Sequence, residues 1–279
     1  MLTRIDRVVL AVPDRAPVAR AWADLLGAEP DHEDEVGVLS ALRTRLRLGT
    51  GRVDLLEADG AGPVQDAVQR RGGHLYAAGA AAADVRDLLA ALQQRGVDHA
   101  AEGTTIDGDV WVDAGHGLRV VVDLDRTLPP VGRVDELYEV TNLVDDADAA
   151  VARVADLFGL DPSPFEPITS TEYGYKGALT LFEPDRLHRF EVIHPHDGAK
   201  TMGRYYGKHG ESLYMCFAET GELAGITDTL RERSAPHTAV GDHTTFVHPQ
   251  ALGGAMVGLS RRTYAWTWSG QPQRVEPIS

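Results

Sequence analysis

The chain has 279 residues, 43 % of them hydrophobic and 25 % charged, the proportions of a soluble globular protein of one large or two medium domains. Its net charge of −15 argues against a nucleic-acid or anionic-membrane partner, because neutralising phosphates takes a basic face. No apolar run approaches the roughly 18 residues that cross a bilayer, the first residues lack the layout of a signal peptide, and the lone cysteine, Cys216, cannot form an internal disulfide, so a cytoplasmic protein is expected.

In chain order, residues 5–12 (IDRVVLAV), β-branched at their centre, read as a strand. Pro13 and Asp14 open a helix through Leu26; Val18, Trp22, Leu25 and Leu26 recur on it at helical spacing, and Gly27 stops it. Strands are expected over 37–42, 44–48 and 52–56. The pattern then restarts with a strand of small residues over 75–81, an amphipathic helix over 84–95 stopped by Gly96, and strands over 103–106, 109–112 and 118–124. A Pro/Gly segment, 127–133 (TLPPVGR), marks a domain boundary. The third unit has a strand over 137–144, a helix opened by Asp145 and Asp146 and ended by Gly159, and strands over 171–175, 178–182 and 189–194. The fourth has a strand over 213–218, a helix over 222–233 and strands over 244–248 and 255–259, the last extended by the alternation in 263–268 (TYAWTW).

The chain repeats itself. DLLG ends the first helix and DLFG the third. Residues 189–217 give a strand with Glu191 at its middle, a polar loop, a short basic helix and a second strand. Residues 52–77 give the same order, with Asp54 in the place of Glu191 and Tyr76 in the place of Tyr214. Self-similarity at so long a period sets the architecture: four strand–helix–strands units in tandem.

Four βαβββ units in tandem resemble the vicinal oxygen chelate superfamily, which includes glyoxalase I, bleomycin-resistance proteins, methylmalonyl-CoA epimerase and extradiol dioxygenases. VPDRAPVARAWADLLG and VDDADAAVARVADLFG are similar to the family's first-helix segments. GRVDLLEADGAGPVQDAVQRRGGHLY is similar to the module junction of the epimerase branch, and FVHPQALGGAMVGL to its closing hairpin. The resemblance covers nearly the whole chain. It implies an α+β fold of four tandem βαβββ modules paired into two half-open β-barrel domains, 1–126 and 134–268, with a tail over 269–279. It also implies a divalent metal in each barrel, held from the first and last strands of the modules. The corresponding positions are Arg7, Asp54, Ala77 and Val121 in the N-terminal pair, and Glu139, Glu191, Met215 and Gly258 in the C-terminal pair. The usual histidines are absent from the first-strand positions, so no cofactor is assigned; if a divalent metal is present, Glu139 and Glu191 are its ligands.

Arg7 and Asp54 read as an ion pair filling the N-terminal metal position, which makes that barrel structural. Glu139 and Glu191 point into one cavity, where two close carboxylates push their protonation apart and suit proton transfer beside a carbonyl. The alternative is that each is neutralised by a nearby Arg or Lys, or that one lies at a solvent-facing mouth. Tyr76 and Tyr214 neighbour the ligand positions, so alternation gives them packing roles ahead of catalytic ones. Cys216 reads as a core thiol. Lys200, Arg204, Lys208 and His209 form a local basic cluster that either holds a substrate carboxylate or phosphate or is a solvated helix face. His194, His196, His243 and His248 are expected to be structural. Tyr264, Trp266 and Trp268 share a face with Gly258, whose missing side chain leaves room for a flat ligand; otherwise they form a lid or a homodimer contact.

Two functions compete. One is an enzyme acting on a small oxygenated or carbonyl compound, an isomerase or epimerase ahead of a lyase or ring-cleaving dioxygenase. Glu139 and Glu191 are then catalytic, and Tyr214, Met215, Gly258, Lys200, Arg204, Lys208 and Trp266 surround the substrate. The other is a non-catalytic protein that binds and sequesters a small molecule, like the bleomycin-resistance branch, which the missing metal ligands favour.

Overall fold

The computed structural model describes residues 1–102, 108–126 and 128–277. The strand expected over 103–106, residue 127 of the boundary segment and the last two residues of the tail lie outside them. Each quarter of the chain is a βαβββ module. The first comprises β1 (Leu2–Ala11), α1 (Arg15–Leu26), β2 (Glu29–Val36), β3 (Ala41–Leu48) and β4 (Gly51–Ala58). After a connecting helix α2 (Pro63–Arg71), the second runs β5 (His74–Ala82), α3 (Val85–Gln94), β6 (His99–Ala101), β7 (Val110–Gly115) and β8 (Leu118–Leu124). The third is β9 (Glu136–Leu143), α4 (Ala147–Phe158), β10 (Glu166–Ser170), β11 (Tyr175–Leu181) and β12 (Arg189–Pro195). After α5 (Thr201–His209) the fourth runs β13 (Ser212–Thr220), α6 (Leu223–Glu232), β14 (His237–Val240), β15 (Thr244–Val247) and β16 (Met256–Arg261).

The duplication extends to the caps. Asp14 accepts a hydrogen bond from the Ala16 backbone N–H to start α1, and Asp146 accepts one from Ala149 to start α4. Gly27 (φ 75°) and Gly159 (φ 62°) end these helices in the left-handed region, which a glycine enters without a Cβ penalty. Each helix buries its apolar stripe on its own module: α1 packs on β3 and β4, and α4 on β11 and β12. Trp22, Leu25 and Leu26 are the buried residues of α1; Val154, Leu157 and Phe158 are among those of α4.

The strands form two eight-stranded sheets, in the orders β2-β3-β4-β1-β5-β8-β7-β6 and β10-β11-β12-β9-β13-β16-β15-β14. This is the α+β architecture of paired βαβββ modules in half-open barrels. Within each module the first and last strands run parallel, and the intervening hairpin strands are antiparallel. By contact density the chain divides into two compact units. One is Met1–Ile5, Ala77–Arg126 and Glu139–Tyr214; the other is Asp6–Tyr76, Thr127–Tyr138 and Met215–Ser279. The second and third modules thus share one unit, and the first and fourth share the other. No helix of the described residues is long and apolar enough to cross a membrane.

Several strand expectations need correction. Residues 37–39 are a turn of 3₁₀ helix, and the strand begins only at Ala41, after Ser40 at φ 49°. The strand before it, β2 (EPDHEDEV), was not expected, because an edge strand with one side open to water needs no hydrophobic alternation. The largely exposed edge strand β14 was missed for the same reason. Most of residues 171–175 form the turn between β10 and β11, where the Gly174 N–H donates to the Ser170 carbonyl at 2.9 Å. The alternating tail does not prolong β16. Thr263 sits at φ 61°, and Tyr264–Thr267 coil into 3₁₀ helix, so Tyr264, Trp266 and Trp268 do not share a strand face with Gly258.

Candidate active site

The parallel pairing of β9 with β12 sets Glu139 opposite Arg189 and Thr141 opposite Glu191. Residues two apart on a strand share a face, so all four side chains lie on one face of the sheet. The same register recurs between β1 and β4, where Arg7 faces Arg52 and Val9 faces Asp54. Glu139 and Arg7 therefore hold equivalent places, as do Glu191 and Asp54. The sequence alignment of the modules is borne out in backbone pairing.

In the C-terminal sheet the Arg189 Nε donates to Glu139 Oε2 at 2.6 Å, and its Nη1 donates to the Leu187 carbonyl at 3.2 Å. Both members of the pair are buried. For Glu139 the alternative holds: Arg189 neutralises it. Glu191, also buried, accepts a 2.5 Å hydrogen bond from the Thr141 hydroxyl. Burial raises the Glu139 pKa, and the Arg189 charge and hydrogen bond oppose that rise. Burial and then the Glu139 charge push Glu191 up to about 8, against smaller opposing effects of the Thr141 hydrogen bond and Arg189.

Tyr175, which sequence reasoning did not single out, joins this group. It lies at the start of β11, on the strand whose Leu179 faces Glu191. Burial, then the charges of Glu191 and Glu139, raise its pKa, so the phenol lies within electrostatic reach of both carboxylates and stays protonated. Its only sequence signal is its place on the hairpin strand beside β12.

The other sequence candidates occupy varied settings. Met215 is buried on β13 opposite Met256. Tyr214 meets Tyr205 edge-on at 5.0 Å, and Tyr205 packs on His209 at 4.6 Å. Arg204 bonds back to the Ala199 carbonyl and to Thr201 Oγ1 in its own turn, while Lys208 is exposed and Lys200 half-buried. Trp266 is buried beneath the Arg274 guanidinium, 4.5 Å from its ring centre. The space expected beside Gly258 is filled by the chain itself: a Cβ there would lie 2.3 Å from the Phe217 ring, which packs on Phe246 at 5.9 Å and Trp268 at 6.1 Å. Gly258→Ala should accordingly lower stability by about 1–3 kcal/mol, as overpacking does, and Phe217→Leu in the same chain should relieve it. Thermal melts of the single and double variants test this; equal melting temperatures for Gly258→Ala and wild type would sink it.

In the N-terminal sheet Arg45, opposite Asp54 on β3, grips both its carboxylate oxygens at 2.7 Å. Arg43 and Arg7 each lie 3.5 Å from Asp54 Oδ2. Arg52 and Arg7 approach Asp6 at 3.2 and 3.4 Å, and Arg43 also binds Asp34. Burial alone would raise the Asp54 pKa, but the Arg45 charge and hydrogen bond, with Arg7 and Arg43, hold it at about 2. Ala77 and Val121 are buried apolar residues. The expected Arg7–Asp54 pair is present, with Arg45 as the stronger partner.

Neither set of residues fits a divalent metal. Carboxylates at the family's ligand positions are engaged by guanidinium or hydroxyl donors, and no imidazole stands with them. Among the described residues no three His, Cys, Asp or Glu side chains are grouped to hold a metal ion.

No protein-family model matches the chain, and no curated protein matches it in sequence. Solved structures do match its fold. A triple mutant of 4-hydroxymandelate synthase from Streptomyces coelicolor superposes with a TM-score of 0.74 at 15 % identity, over 98 % of this chain and 99 % of that one. BphC, a halotolerant catechol dioxygenase, gives 0.65 at 14 % identity, over 94 % and 87 % of the two chains. A xylose isomerase-like TIM barrel/4-hydroxyphenylpyruvate dioxygenase fusion protein gives 0.64 at 11 % identity, over 94 % of this chain and 49 % of that one. These likenesses show that the chain shares the fold of those proteins.

Proposed function

We propose that the protein is an enzyme that moves a proton beside the carbonyl of a small molecule, as an isomerase or epimerase, at Glu191. The observation that carries this is a buried carboxylate whose charge partner is negative. Glu139 is paired with Arg189, and burial, followed by the Glu139 charge, raises the Glu191 pKa to about 8, near neutral pH. A group so poised serves in both directions, because its basic and acidic forms are both populated. Ionised Glu191 takes the proton from the carbon next to the carbonyl, leaving an enolate; neutral Glu191 then returns it, on the same face or, once the substrate has turned, on another. Glu139 orients and tunes Glu191, and the Tyr175 phenol donates to the enolate oxygen. The lone cysteine, Cys216, is a buried thiol, which fits a reducing compartment.

Sequestration of a small molecule is the second reading, favoured by the neutralised Glu139 and by the half-exposed rings of Phe246, Tyr264 and Trp268 in the other compact unit. Proton exchange separates the two. In D₂O, proton NMR of a panel of 2-oxo acids, 2-hydroxy ketones and acyl thioesters should show deuterium entering one class next to the carbonyl. Glu191→Gln should slow that exchange by about 10²–10⁴-fold, the usual contribution of a general acid–base. A panel left unlabelled by wild-type protein, together with tight binding of one member, would establish sequestration instead.

A further inference from the structure

Glu139 and Glu191 share one sheet face with Arg189, which is paired with Glu139. Arg189 is fully buried, and its place opposite Glu139 is set by backbone register. Its charge acts on Glu139 through a 2.6 Å hydrogen bond and on Glu191 through space. The N-terminal sheet also buries carboxylates against arginine, but with different partners. Arg52, at the equivalent register against Arg7, binds Asp6, and Asp54 lies between Arg45, Arg43 and Arg7. Arg52 and Arg189 hold equivalent positions, but they bind carboxylates at different ones: Asp6 in the first case and Glu139 in the second.

We propose that the Arg189 guanidinium is the resident cation of this centre, and that withdrawing it turns Glu139, Glu191 and Thr141 into an oxygen-donor site for a divalent ion. The chemistry follows from the donors. Two carboxylates and a hydroxyl on one sheet face are hard oxygen ligands, the kind that hold Mg²⁺ or Mn²⁺ with water completing the shell. A guanidinium meets the same two needs, charge and donors to oxygen, without a vacant coordination position. With Arg189 gone, two buried carboxylates are left without their cation, and a small divalent ion is the simplest replacement.

The test uses Mn²⁺ alone, followed by electron paramagnetic resonance of the free ion and by thermal melting. Wild-type protein should leave the Mn²⁺ signal unchanged. Arg189→Ala should bind about one Mn²⁺ per chain, at least about tenfold more tightly than wild type, and lose it again in Arg189→Ala/Glu191→Gln. If Arg189→Ala is unfolded by itself, Mn²⁺ or free guanidinium ion should restore its fold, since a ligand that binds only the native state stabilises it. The proposal is overturned by any of three results: stoichiometric Mn²⁺ on wild type that Glu191→Gln removes, folded Arg189→Ala that ignores Mn²⁺, or unfolded Arg189→Ala that neither cation restores. The readout is independent of activity, so the acid–base reading at Glu191 can fail while this stands, and the reverse.

Discussion

Asp54→Ala should cost about 3–5 kcal/mol of folding stability, a large share of what a domain of this size possesses. The substitution leaves Arg7, Arg43 and Arg45 buried around a methyl group, with their like charges facing one another. Urea denaturation at pH 7 measures the loss; a variant as stable as wild type would show that the cluster is better hydrated than its burial implies. The same carboxylate gives a pH signature. Its folded pKa of about 2 lies below the ordinary 3.8. The stabilisation is therefore fully present above 3.8 and fades as the pH falls through about 2, by an amount on the order of 2 kcal/mol. Asp54→Asn should remove that part of the acid sensitivity. Because the cluster lies wholly in one compact unit and Glu139 and Glu191 lie in the other, Arg7→Ala should also reduce stability while leaving proton exchange by the folded fraction intact.

The fold was legible because duplication is a property of sequence. Asp14 and Asp146 cap equivalent helices, and Arg7 with Asp54 predicts where Glu139 and Glu191 fall. What decides the chemistry was less legible. Arg189 stands two residues before Glu191 in plain sight, yet only the register of β12 against β9 shows that it faces Glu139. Arg45 and Arg43 reach Asp54 from a hairpin strand whose alignment depends on a turn, not on composition. Tyr175 enters the site from the same kind of strand. The tail misled for a local reason: alternating aromatics imitate a strand, and the left-handed turn at Thr263 carries no glycine to announce it. Gly258 misled for a packing reason, since a missing side chain leaves space for a ligand only if no neighbouring ring takes it.

Glu191→Gln should make the protein more stable while it destroys proton exchange, and the gain should grow with pH. For a carboxyl group whose folded pKa is raised, both states are protonated below the ordinary value of 4.5, and burial then costs nothing through ionisation. As the pH rises above 4.5 the unfolded chain releases its proton and the folded chain does not. The folded state is penalised progressively until the pH reaches about 8, where Glu191 ionises in place. The penalty at that point is on the order of 3–5 kcal/mol. Glutamine keeps the shape and the acceptor for the Thr141 hydroxyl but has no proton to lose, so it escapes the penalty. Thermal melts should show little difference between variant and wild type near pH 4.5 and a variant more stable by at least about 1 kcal/mol at pH 8. A Glu191 whose pKa is not raised in the folded state would behave the other way, with Glu191→Gln neutral or destabilising at every pH. A variant that melts below wild type at pH 8 would therefore remove Glu191 as the proton-transfer group and leave sequestration as the better account of this site.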